Sequence, residues 1–152
     1  MNAKKVVLVT AGVCVSLGFA AAVAAPAAKE WFEGRHEQSA SYATGKQAKE
    51  ARSSVPRWLP DDASSVRYAM KTTGGERLLK ATLKDVRLPA GCAPAATGAK
   101  GPELKADWFP AAAQDRNTSR CGAYYLYLDG DTLYGWQRHE DWVEANRTGA
   151  AT

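Results

Sequence analysis

Isoleucine is absent from this chain, and histidine and cysteine are scarce, with two and three copies in 152 residues. The apolar interior therefore has to come from Leu, Val, Ala and aromatic rings. The few histidines and cysteines form no cluster with metal-site spacing. There is no P-loop, no dinucleotide fingerprint and no nucleophile elbow. These absences argue against enzymes of known motif class; no cofactor, metal ion or catalytic group is expected. Charge of one sign is also lacking. The net charge is +4, and Lys4 and Lys5 alone supply two of those charges. The remainder is too weakly basic to argue for nucleic-acid binding.

What is present starts with a short basic stretch, Met1 to Lys5, followed by Val6–Ala25, 20 residues without a charge. That length matches the roughly 20 residues a helix needs to cross a bilayer. Lys4 and Lys5 would stay on the cytoplasmic side, sending everything after Ala28 outside. Trp31 and Phe32 would then sit at the outer interface, like an aromatic belt. The expected location is the cell membrane, single-pass, through residues 6–25. The alternative is secretion after cleavage near Ala24, because Ala22-Val23-Ala24 offers a small-x-small site. Cys14 is no lipid acceptor, since Val13 precedes it and the apolar run continues past it.

Composition divides the chain further. Residues 1–28 form the signal-anchor segment, and 29–55 read as a helical stalk or linker rich in good helix formers, with His36 solvated. Pro56 and Pro60 mark the boundary of an extracytoplasmic α+β domain over 56–147, and 148–152 are tail. So small a domain often needs a covalent staple. Cys92 and Cys121 are the only cysteines outside the apolar run, and in an exported domain they are expected to pair. They would close the loop 93–120, whose prolines and glycines leave no clear period.

Two hairpins are legible. Ser65–Thr73 and Glu76–Lys84 flank Gly74-Gly75, a pair that can supply positive φ twice. That register sets Met70 opposite Leu79, Tyr68 opposite Ala81 and Val66 opposite Leu83. A slip of one residue would face them with Lys80, Thr82 and Lys84 instead. The second hairpin is Gly122–Leu128 and Asp131–Arg138, turning at Asp129-Gly130 or Gly130-Asp131. Either turn puts Tyr124, Leu126, Leu128 and Leu133 on one face. Tyr125, Tyr127, Tyr134 and Trp136 then take the other. Glu140–Arg147 reads as a short closing helix with Trp142, Val143 and Ala145 inward.

One candidate site follows. The outer face of the first hairpin carries Arg67, Lys71, Lys80 and Lys84. Beside Tyr125, Tyr127, Tyr134 and Trp136, these cations suit an anionic envelope polymer or a sugar. The competing reading is that the long loop, with Trp108 and Phe109, covers the rings and completes a second core. Asp129-Gly130-Asp131 lacks the further oxygen ligands of a calcium loop and reads as a turn. His139-Glu140-Asp141 sets a base beside carboxylates, and Glu140 or Asp141 equally suits a helix N-terminus. Asn117-Thr118-Ser119 and Asn146-Arg147-Thr148 match the glycosylation acceptor pattern.

Trp58-Leu59-Pro60-Asp61-Asp62-Ala63-Ser64-Ser65-Val66-Arg67-Tyr68 resembles the opening of small exported or membrane-anchored bacterial domains, in which Leu-Pro-x-x-Ala leads into the first strand. The resemblance implies an extracytoplasmic α+β domain and carries over no functional residues. The expected fold is thus α+β: membrane helix, helical stalk, a small antiparallel sheet of about four strands, one disulfide and a short C-terminal helix. The expected function is a membrane-anchored binding or accessory module meeting an envelope polymer or another membrane protein. The alternatives are a secreted protein-binding or inhibitor domain, and an enzyme using His139 and Glu140.

Overall fold

The computed structural model describes residues 36–95 and 98–149. The expected span at 6–25 and the first part of the stalk lie outside the described residues. Among the described residues, no helix is long and apolar enough to cross a membrane. The fold is α+β, with a seven-stranded antiparallel sheet rather than about four strands. The strands are β1 (Glu37–Thr44), β2 (Ser64–Lys71), β3 (Arg77–Thr82), β4 (Ala93–Pro94), β5 (Ser119–Cys121), β6 (Tyr124–Asp129) and β7 (Thr132–Gln137). The helices are α1 (Gly45–Ala51) and α2 (His139–Thr148). The strand order is β1-β2-β3-β7-β6-β5-β4, so the two expected hairpins join through β3 and β7.

Residues 37–51 are not a stalk. Glu37–Thr44 pairs along β2 in one register, from Glu37 opposite Lys71 to Thr44 opposite Ser64, skipping only Ala43 and Ser65. This strand is polar, small-residued and exposed, so only its partner reveals it. The Thr44 side chain accepts from Gln47 N at 3.2 Å and caps α1. Ala48 is fully buried, and Gly45 packs where a Cβ would strike the Pro60 carbonyl. The Leu-Pro-x-x-Ala segment accordingly leads into the second strand, not the first.

The first hairpin differs from its expected register. Tyr68 lies opposite Leu79 and Met70 opposite Arg77, a shift of two residues. Every side chain keeps its face, because strands alternate with period two. The connection is correspondingly longer, closed by Lys71 N to Glu76 O at 3.1 Å. Neither Gly74 nor Gly75 takes positive φ. Gly75 is required by space instead, since a Cβ there would lie 2.5 Å from Trp142 Cβ. Near the start of β2 an extra residue is absorbed by a bulge, with Ser65 at φ +50°. The second hairpin turns at Gly130-Asp131, with Gly130 at φ +61° and Leu128 opposite Leu133.

Both sheet faces are buried. One carries Val66, Tyr68, Leu79, Ala81, Leu126 and Leu133 and packs under Ala48, Val55, Leu59 and Ala63. The other carries Ala69, Leu78, Tyr125, Tyr127 and Trp136 and packs under Leu104, Phe109 and Ala113 of the long loop. This accounts for apolar residues on both sides of β6 and β7. Cys92 and Cys121 form the expected disulfide, with Cα atoms 4.4 Å apart. It ties the start of the loop to β5. Helix α2 runs from His139 to Thr148 and ends at Gly149, φ +74°.

Candidate functional site

The aromatic face is roofed rather than open. Phe109 stands edge-on to Tyr134 at 5.8 Å and to Trp136 at 6.3 Å. Tyr125 stacks on Trp136 at 5.5 Å, and Tyr127 on Tyr134 at 5.2 Å. Trp136 is 0% exposed, and its Nε1 donates to Lys100 O at 2.9 Å. Tyr125, Tyr127 and Trp136 are core and Tyr134 is half-buried beside them, so the open basic and aromatic platform is not what the molecule presents. The cations do reach this face. Lys80 Nζ lies 5.4 Å from the Tyr134 ring, and Arg67 lies over Trp108 at 5.6 Å. Arg120 sits 4.3 Å over Tyr125 from the neighbouring strand β5. Lys71 instead pairs with Glu76 at 3.4 Å, and Lys84 is exposed beyond β3.

His139 and Glu140 do not converge on a reaction centre. His139 Nδ1 accepts from Gly75 N at 3.1 Å, which in the neutral ring leaves the proton on Nε2. Glu140 pairs with Lys100 at 2.7 Å and with Arg138. Hydrogen bonds from these two cations lower its pKa, with Lys100 the larger influence. Glu103 reaches across to accept from His139 N at 2.9 Å and from Arg138 at 3.0 Å, capping α2 from another part of the chain. Asp141 pairs with Arg120 at 3.0 Å. The motif that resembled a catalytic group is the anchorage of α2 to the long loop and β5.

A cavity of about 280 Å³ lies at one end of the sheet, lined by the 53–58 segment, strand residues and α2. Its floor is one row of cross-strand neighbours, Arg77 on β3, Gln137 on β7 and Tyr124 on β6. Arg77 shares its face with Leu79 and Ala81, so a charge points into the layer where aliphatic side chains are the rule. Its Nη1 donates to the carbonyls of Lys71, Gly74 and Glu76 at 3.0, 2.8 and 2.7 Å. Gln137 Nε2 donates to Gly75 O at 2.5 Å. The hairpin connection thus uses its carbonyls to hold both floor residues in place.

The walls are aromatic. Trp58 meets Tyr124 edge-on at 5.5 Å, and Trp142, 37% exposed, stands at the mouth. Trp142 is therefore not simply packed inward, as the helix pattern led one to expect. Burial pushes the Tyr68 phenol up, partly offset by its bond to Ser54 O and by the charge of Arg77. Burial, reinforced by neighbouring Tyr68, raises Tyr124 further, and its hydroxyl is buried without a hydrogen-bond partner. The lining includes Arg57 and Arg77 and no carboxylate. Sequence reasoning missed this site, although one signal was available: Arg77 and Gln137 occupy inward positions of otherwise apolar strands. Among the described residues, no group of His, Cys, Asp and Glu is placed to hold a metal ion.

Comparison of the chain with protein-family models, with curated proteins and with solved structures finds no match.

Proposed function

We propose that the chain is an extracytoplasmic binding or accessory module, held at the membrane by residues 6–25, that takes its ligand in the cavity between the 53–58 segment and α2. The binding reading is carried by the construction of that cavity. Two polar side chains are fixed by backbone carbonyls at its floor, and indole rings stand at its sides. Concave sites with a few fixed polar groups among aromatic walls are the usual form of a ligand pocket. The placement outside the cell is supported by the uncharged run behind Lys4 and Lys5. The Cys92–Cys121 disulfide points the same way, since such bonds persist in oxidising compartments.

Two measurements test this reading. After a carbonate wash of membranes, the full chain should stay in the pellet. Recovery of a soluble form beginning near Ala25 would replace anchoring by secretion. The detergent-solubilised full chain, incubated with small fragments of cell envelope, should retain bound material visible by native mass spectrometry. Trp142→Ala, at a partly exposed position, should lose that material while unfolding at nearly the parent temperature. Equal retention by parent and variant would overturn the assignment of the cavity.

A further inference from the structure

We infer that this cavity, read as the ligand site above, selects a carboxylate borne on an aromatic or aliphatic group, anchored on the Nε/Nη2 edge of Arg77. Arg77 is only 9% exposed, and no ion pair among the described residues includes it. Its sequence neighbour Glu76 turns to Lys71. A buried cation is ordinarily paired, because removing charge from water is costly. Three carbonyls satisfy Nη1 but supply dipoles rather than a counter-charge.

The geometry of the guanidinium narrows the ligand. The three bonds to carbonyls all come from Nη1, neither Nε nor Nη2 is a buried atom without a partner, and the Tyr68 hydroxyl lies within bonding reach of the guanidinium. These two N–H groups point in parallel along one edge of the planar fork. That edge matches the two oxygens of a carboxylate, a bidentate arrangement that lysine cannot make. With Nη1 held by three carbonyls, the edge is oriented before any ligand arrives, which reduces the ordering cost of binding. Arg57 at the rim adds a second positive charge. Trp58 and Trp142 provide the surface for an apolar body attached to the carboxylate. At about 280 Å³ the cavity suits a small acid or the terminal residue of a chain.

The shared chemistry has two sources, a free small acid and a peptide C-terminus. The test uses the detergent-solubilised full chain and calorimetric titration with N-acetylphenylalanine, its amide, and a short peptide ending in phenylalanine with a free or amidated terminus. Each free acid should bind at least about ten-fold more tightly than its amide, as expected for hydrogen bonds to a charged group. The tighter of the two acids identifies the source. Arg77→Lys, which keeps the charge and loses the fork, should erase most of that preference. If Arg77→Lys does not fold, the acid-against-amide comparison on the parent decides alone. Equal binding of acid and amide would overturn the carboxylate anchor and leave the binding module standing. So would inorganic phosphate competing as well as the acids. Absence of binding by every probe, while envelope material is still lost with Trp142→Ala, would also refute only the carboxylate. Failure of both the probes and the retention assay would remove the proposed function itself.

Discussion

Replacing Trp136 by alanine should test directly whether the aromatic face is interior. The ring is fully buried, stacked on Tyr125, crossed by Tyr127 and Phe109, and hydrogen-bonded to Lys100 O. Truncating a buried tryptophan costs about 3–5 kcal/mol through lost transfer energy and residual cavity. The upper part of that range applies here. The neighbouring rings sit on paired strands, and the roof is tied at one end by the disulfide, so the space cannot readily close. Domain stabilities are about 5–15 kcal/mol, so the variant should lose a large fraction of the total. A loss of about 4 kcal/mol lowers the melting temperature by roughly 15 °C for a domain of this size. Denaturant unfolding of the full chain, followed by near-ultraviolet circular dichroism, measures it. Trp136→Phe keeps the ring stacking and drops the N–H, and should cost only about 1–2 kcal/mol. A loss below about 1.5 kcal/mol for Trp136→Ala would refute the closed face and restore the rings as a candidate surface.

Three further outcomes are expected. Non-reducing peptide mapping should recover Cys92 joined to Cys121, and Cys92→Ser should lower stability by about 3–4 kcal/mol in the chain-entropy model for a separation of 29 residues. Quantitative labelling of both thiols in native protein would contradict the link. Tyr68→Phe should cost about 1 kcal/mol through the lost bond to Ser54 O, whereas Tyr124→Phe, which deletes an orphaned hydroxyl, should be neutral or stabilising. Both phenols have folded pKa values raised above 10.0, so their contribution is intact below that pH and is lost as pH climbs through the raised values. Burial raises Tyr127 as well, so a spectrophotometric titration should show three tyrosines ionising late, and ordinary titration of all six would refute their burial. Gly75→Ala should cost about 1–3 kcal/mol by forcing Trp142 away, and should perturb the cavity mouth as seen by tryptophan fluorescence. An unchanged melting curve would show that α2 yields freely.

The parts of the fold legible in advance are those written with period two. The alternation of Tyr125, Tyr127, Tyr134 and Trp136 against Leu126, Leu128 and Leu133 assigned each to the face it occupies. A slip of one residue was excluded by the same pattern, but a slip of two preserves every face and was invisible, so the first hairpin lies two residues from its expected register. Gly74-Gly75 marked a turn correctly and for a different reason. The glycine at 75 makes room for Trp142, which is 67 residues away in sequence and cannot be inferred from the turn itself. β1 carries almost no apolar pattern, because an exposed edge strand is selected by backbone pairing more than by burial.

The candidate site divides in the same way. Residue types and spacing alone determined that Cys92 and Cys121 should pair, that two hairpins exist, and that β6 and β7 are apolar on both sides. These follow from covalent chemistry, turn conformation and side-chain alternation, all of which act over a few residues. Only the tertiary structure decided that the long loop covers the rings, that His139 and Glu140 serve to seat α2, and that Arg77, Gln137 and Tyr124 line up in one row. That row needs the register of three strands joined across more than 40 residues of chain, together with an indole from α2 at its mouth. Its energetics depend on which carbonyls and which hydroxyl a buried guanidinium meets, and that is a property of packing.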